Sequence, residues 1–171
     1  MWKLILVITA IILYFIYNIT VLILFKTPFS LSETYYLFSN YKHKLKFLFP
    51  SMMIGIASLL LPAWLELSEG NNFQFTAFLA CSGLIFTGMV PTFKKGNFEN
   101  IIHTGSAYFA VVTSFIWIFA LTNLWYVILI YGFIIGIIGW LCKLWKTSYI
   151  YLLENIAILA TLTNILLTVL W

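Results

Sequence analysis

Three ionisable side chains, Glu99, His103 and Glu154, are placed in this otherwise apolar sequence so that they could act together. Glu99 and His103 are four residues apart, so on a helix they project from one face. A carboxylate and an imidazole held together inside a membrane could relay protons or couple transport, and with a second carboxylate they could hold a metal ion. The inventory narrows this chemistry. The only other histidine is His43 in a lysine-rich stretch, there is no Asp, and no Gly-x-Ser-x-Gly elbow occurs. An intramembrane zinc hydrolase with a three-His site is therefore excluded. No catalytic residue, metal or cofactor is assigned.

The elements that must position these residues follow from composition. Of 171 residues 63% are apolar and 8% charged, and the mean hydropathy is +1.04, far from the roughly 25% charged content of soluble domains. The chain reads as an all-α integral membrane protein, a single transmembrane domain over residues 1–171 with no room for a separate soluble domain. Apolar runs bounded by charges, Pro, Gly or Asn predict six spans, at 3–25, 47–67, 72–91, 98–121, 123–143 and 149–170. A five-span alternative exists because only Thr122-Asn123 separates the fourth run from the fifth. The first run is too long for a signal-peptide core and lacks a small-x-small cleavage site. The sequon at Asn18 lies inside it and is expected to be inaccessible.

All nine cations are Lys and all five acids are Glu. Lys26, Lys42, Lys44, Lys46, Lys94, Lys95, Lys143 and Lys146 fall in alternate connections, which places those connections in the cytoplasm and both termini outside; only Lys3 disagrees. The expected location is a bacterial inner membrane. No basic groove interleaved with aromatics is present, so nucleic acid is not an expected partner; lysines beside apolar spans suit anionic headgroups. Trp2, Trp64, Trp125 and Trp171 are expected as anchors at the outer interface, and Trp140, Trp145, Tyr149 and Tyr151 at the inner one. Cys81 and Cys142 differ in expected depth, which disfavours a disulfide.

The connection after the first span carries Ser30, Ser32, Glu33, Tyr35 and Tyr36. Ser30-x-x-Glu33 matches a capping box ahead of an aromatic, amphipathic segment, which predicts a short helix on the cytoplasmic face. Gly132-x-x-x-Gly136 with Gly139 predicts close packing of the fifth span inside the bundle, and Gly55, Gly83 and Gly88 a weaker version on the second and third.

With Asn97 as N-cap, His103 lies about 9 Å into the fourth span, at the headgroup boundary. Its face continues through Ala107, Ala110 and Ser114, and these small residues turn it toward another helix. Glu154, after a Ser148 cap, lies at the same depth on the sixth span, above a stripe of Ala157, Thr161, Asn164 and Thr168. The expected cluster is Glu99, His103, Ser106, Glu154 and Asn155, with His103 facing Glu154 directly; the alternative is that each polar group is satisfied separately by water or backbone.

Ser30-x-Ser32-x-x-Tyr35-Tyr36, the Gly-rich third span ending in Pro91, and His103-x-x-Ser106-Ala107 together resemble a group of uncharacterised bacterial six-span proteins. That group is in turn similar to the DRAM-like (damage-regulated autophagy modulator) family. The similarity covers roughly residues 28–120. It implies a six-helix bundle with a juxtamembrane polar cluster made by the Ser-x-Ser loop and the fourth-span histidine, and it implies no reaction. The expected function is a non-enzymatic membrane component that binds lipid or a membrane partner. A small proton-coupled transporter using His103 and Glu154 is the alternative, and a membrane-embedded enzyme comes third.

Overall fold

The computed structural model describes residues 1–171 and is all-helical. Seven α-helices follow in order: α1 (Trp2–Phe25), α2 (Thr34–Tyr41), α3 (Leu48–Leu67), α4 (Gln74–Met89), α5 (Asn97–Leu121), α6 (Tyr126–Leu141) and α7 (Tyr149–Leu170). Short 3₁₀ turns at His43–Phe47 and Leu144–Lys146 lead into α3 and follow α6. Four segments are long and apolar enough to cross a membrane, not six: Trp2–Phe25, His43–Leu67, Asn97–Leu121 and Tyr149–Leu170. The expected third and fifth spans are apolar helices of 16 residues each. The sequence runs overestimate both, because Asn71, Asn72 and Phe73 form a turn before α4 and Asn123 to Trp125 turn before α6.

Long-range bonds define two ends of the bundle. At one, Lys3 Nζ lies 2.9 Å from Glu66 Oε1, Gln74 Nε2 donates to the Leu65 carbonyl, Trp117 Nε1 donates to Ser68 Oγ, and Thr122 Oγ1 donates to Asn164 Oδ1. The connections 26–47, 90–96 and 142–148 meet at the other. There the Tyr151 N–H donates to the Phe29 carbonyl and the Lys94 N–H to Tyr36 Oη. The lysine that breaks the charge asymmetry, Lys3, is the one paired with a glutamate at its own end.

The core runs through α1, α3, α4, α5 and α7, where Trp64 and Trp117 meet edge to face with ring centroids 5.4 Å apart. Trp64 is therefore a core residue and not an interfacial anchor. It continues the buried stripe of Ile56, Ala57 and Leu60 on α3, and helical spacing outweighs its nearness to the helix end. Tyr151 is likewise buried, while Trp2, Trp125, Trp140, Trp145, Tyr149 and Trp171 are exposed.

Close helix approach depends on the glycines with the weaker sequence signal. A Cβ at Gly83 would stand 2.8 Å from Ala110 Cβ and from the Ser106 carbonyl oxygen, and one at Gly88 would stand 3.1 Å from Met53 Cβ. These contacts set the α4–α5 and α3–α4 spacing. Gly132 and Gly136, by contrast, have no atom within 4 Å of such a Cβ, so the expected internal packing at that motif is absent. Of the three, only Gly139 is packed, against Leu152 and Trp145, because the 3₁₀ turn folds Trp145 back so that its Nε1 donates to the Gly136 carbonyl at 3.1 Å.

Candidate functional site: a strap clamped by His103 and Glu154

The segment from Thr27 to Glu33 leaves α1 through Lys26, whose φ of 61° lies in the region that favours glycine. It then crosses the lysine-rich end of the bundle as a strap. Its first half lies on the start of α7. A helix begins with N–H groups that have no partner in the helix, and the strap supplies one acceptor, since the Phe29 carbonyl takes the Tyr151 N–H at 2.9 Å. Ser148 occupies the N-cap position of α7, but its hydroxyl donates to the Thr27 carbonyl at 3.3 Å instead of closing its own helix.

Glu154 then accepts the Leu31 N–H of the strap on Oε2 at 2.6 Å. One residue on, Ser32 Oγ lies 2.8 Å from His103 Nε2. The other ring nitrogen of His103, Nδ1, lies 2.8 Å from the Val90 carbonyl. A carbonyl can only accept, so Nδ1 carries a proton, and in the neutral ring Nε2 accepts from the Ser32 hydroxyl. Both imidazole nitrogens are thus occupied. Phe93 stacks on the ring at 4.7 Å and 19°, and Tyr36 meets Phe93 edge-on at 5.4 Å. Lys94 closes this aromatic lid with Nζ 5.1 Å above the Tyr36 ring and 2.9 Å from Glu33 Oε1.

His103 and Glu154 do not face each other directly. They hold adjacent residues of the strap, whose backbone occupies the space between the two helix starts. A strap outside regular helix leaves backbone groups that need partners when buried. The Glu154 carboxyl meets one of them, the Leu31 N–H, and the imidazole holds the Ser32 hydroxyl, so neither side chain is used for the other.

Ser30 and Glu33 close the strap onto α2. Ser30 Oγ accepts the Glu33 N–H at 3.1 Å, and Glu33 Oε2 accepts the Phe29 N–H at 3.1 Å. This is the expected capping box with its return bond displaced by one residue, and α2 begins directly after it. Thr34 and Phe38 of α2 are fully buried, Phe38 against Phe25 and Tyr17. The helix therefore docks onto α1, leaving Tyr35 and Tyr36 half-buried.

The remaining cluster residues lie around the strap. Ser106 donates to the His103 carbonyl at 3.0 Å and meets Thr87 Oγ1 at 3.0 Å, so the small face of α5 packs chiefly on α4 and not on the last helix as expected. Glu99 stays in the first turn of α5, with its carboxylate folded over Gly96, and Gly96 rather than Asn97 occupies the N-cap position. Asn155 accepts a hydrogen bond from Tyr14 Oη and donates to the Tyr151 carbonyl at 2.6 Å. It belongs to a second network in which Tyr151 Oη donates to Asn18 Oδ1 at 2.8 Å and Asn18 Nδ2 donates to the Tyr14 carbonyl at 3.0 Å. Tyr17 Oη shares a bond with Thr34 Oγ1, which donates to the Leu31 carbonyl, so this network reaches back to the strap.

Tyr14, Tyr17 and Asn18 escape a search for ionisable groups. Their i, i+3, i+4 spacing on an otherwise aliphatic span is a legible polar stripe. The Leu31 N–H and the Phe29 and Val90 carbonyls leave no trace in side-chain identity. Chemically the arrangement holds a loop: every nitrogen of His103 is committed, and neither the apolar cavity beside Trp64 and Leu162 nor the groove between α4 and α5 includes His103 or Glu154. In comparison with known proteins, no family model, no curated protein and no solved structure matches this chain.

Proposed function

We propose that the chain is a six-span, non-enzymatic membrane component whose lysine-rich end forms a rigid, cationic cap that binds anionic lipid at the cytoplasmic face. The observation that carries this reading is the strap. It consumes His103 Nε2 and a Glu154 oxygen in holding residues 27–33, and His103 Nδ1 is taken by the Val90 carbonyl, while Lys42, Lys44, Lys95, Lys143 and Lys146 remain exposed around it. Exposed Tyr41 and Phe47 flank the lysines of the 3₁₀ turn, an arrangement of aromatic and cationic groups suited to a headgroup layer.

Connectivity supports six crossings even though α4 and α6 are short. α3 ends beside Gln74 at the Lys3–Glu66 end, and α5 begins beside Lys94 at the other, so α4 must traverse the bundle between them. The same holds for α6 between Thr122 and Ser148. Sixteen residues reach about 24 Å at 1.5 Å per residue, against a hydrocarbon core of about 30 Å, a mismatch that local thinning of the bilayer absorbs. The lysine count at one end supports placing that end in the cytoplasm. The resemblance to the DRAM-like group has support of one kind, because Ser32 and His103, from two of the motifs that carry it, are bonded to each other.

The test is binding of the purified chain to nanodiscs of phosphatidylglycerol or phosphatidylcholine carrying a reporter of headgroup contact at the cap. Each lysine near an anionic surface contributes about 1 kcal/mol, so Lys42→Gln with Lys44→Gln is expected to weaken the phosphatidylglycerol preference about 30-fold. An unchanged preference would overturn the reading.

A further inference from the structure

We infer that the groove between α4 and α5 holds one acyl chain of an anionic phospholipid, with the headgroup at Lys95. This site is separate from the cap. The groove is open to the outside of the bundle and offers about 550 Å³. Ser82, Gly105 and Ser106 form its floor, and Phe78, Phe86 and Phe109 form its walls, with each of these rings about half exposed. Nothing in the chain fills the floor, since a Cβ built on Gly105 meets no atom within 4 Å.

The exposed face of α5 sets the depth and the charge. Asn97, Asn100 and Thr104 are the exposed polar residues of its first turns, and Thr104 donates to Asn100 Oδ1 at 3.2 Å. From Gly105 onward the exposed face is Tyr108, Phe109, Val112, Ile116 and Phe119. Phe98 and Ile101, 72% and 69% exposed, continue the groove's own face above Gly105, so the acyl region on this face reaches the first turn of α5 and the headgroup boundary falls at its start, beside Asn97. Above that boundary Lys95 is exposed and makes no ion pair, whereas its neighbour Lys94 is held by Glu33. The one nearby carboxylate, Glu99, is turned back over Gly96. A phosphate at Lys95, ester oxygens beside Asn97, and a chain running over Phe98 and Ile101 onto Gly105 between the phenylalanines match the order of chemistry along this face.

The experiment is native mass spectrometry of the detergent-purified full chain, titrated with dioleoyl phosphatidylglycerol or dioleoyl phosphatidylcholine. One phosphatidylglycerol per chain is expected, preferred about fivefold, the contribution of one lysine. Gly105→Phe fills the groove and replaces a poor helix former with a better one; it is expected to lower retention of both lipids at least tenfold. Ser82→Leu fills the groove from α4 and is read in its place should Gly105→Phe not fold. Lys95→Gln is expected to remove the preference and leave phosphatidylcholine binding unchanged. Full retention by the groove-filled variant overturns the inference. So does a preference that follows Lys42 and Lys44 instead of Lys95, an outcome that leaves the cap reading standing.

Discussion

Replacing Glu154 with leucine removes the acceptor of the Leu31 N–H, which sits 2.6 Å from Oε2 in a residue only 2% exposed. Two free-energy changes follow, of opposite sign. The strap loses a hydrogen bond to a carboxyl oxygen, worth about 0.5–1.5 kcal/mol, and is left with a buried unsatisfied donor, at a cost of about 1–3 kcal/mol. The bundle is meanwhile relieved of holding a carboxylate away from water, which offsets part of the loss in global stability. Melting temperature is therefore a poor readout and local opening of the strap a good one. With the bonds at Phe29 and Ser32 intact the strap stays docked, but its opening becomes easier by about 2 kcal/mol, which accelerates amide exchange about 30-fold. Glu154→Gln keeps an amide oxygen as acceptor and should fall between the two. The assay is hydrogen–deuterium exchange on the peptide covering residues 29–36, in detergent and in nanodiscs. Exchange in Glu154→Leu within a factor of two of the parent protein would refute the clamp, whatever the melting temperature did.

Other consequences are as direct. A double-mutant cycle between Ser32→Ala and His103→Phe should give a coupling of about 0.5–1.5 kcal/mol in denaturant unfolding, and larger than that between His103→Phe and Glu154→Leu, which meet only through the strap. Gly83→Val should destabilise by about 1–3 kcal/mol, because its Cβ is 2.8 Å from Ala110 Cβ. Gly132→Ala, with nothing within 4 Å, should stabilise by up to about 1 kcal/mol through helix propensity; the two unfolding curves read against each other check which glycines pack. Lys26→Gly should stabilise by about 1 kcal/mol, since φ is 61° there, and a loss of stability in thermal unfolding would count against the turn into the strap.

Much of this was legible from residue types. Glu154 and His103 are costly inside a bilayer unless partnered, so their types alone announce an internal polar contact at matched depth on two helices, and Ser30-x-x-Glu33 announces where α2 starts. What the letters do not carry is the partner. Side-chain chemistry pairs an acid with an imidazole by default, whereas here Glu154 binds a loop N–H, a group that is the same at every residue, and His103 binds the Ser32 hydroxyl and the Val90 carbonyl. The glycines fail for a related reason. Gly-x-x-x-Gly reports a surface that permits close approach, but whether a helix arrives depends on where the neighbours end, and α6 meets little besides α7 and the turn that returns Trp145. Trp64 is a conflict between two valid signals, interfacial preference and helical phase, and phase prevails because its stripe of Ile56, Ala57 and Leu60 is already committed to the core.

The proposed crossing of α4 and α6 is the step on which the cap and the groove both depend, and the chain carries its own reporter for it. Cys142 is exposed at the lysine-rich end of α6, while Cys81 is buried in α4. In intact cells a membrane-impermeant maleimide should leave both unlabelled and should reach Cys142 once the membrane is permeabilised. Asn71 and Asn123 are exposed in the turns at the opposite end. In a Cys142→Ser background, Asn71→Cys and Asn123→Cys should each label in intact cells. If α4 lay along the surface, residue 71 would share a side with Lys94, and if α6 did so, residue 123 would share a side with Cys142. A helix of 16 residues can cross only if the bilayer thins by several Å around it. Labelling of Asn71→Cys should therefore be more complete in nanodiscs of short-chain than of long-chain phosphatidylcholine. The reverse dependence on chain length, or labelling of Asn71→Cys and Cys142 from the same side, would remove the six-span arrangement and with it the groove's position beneath the headgroups.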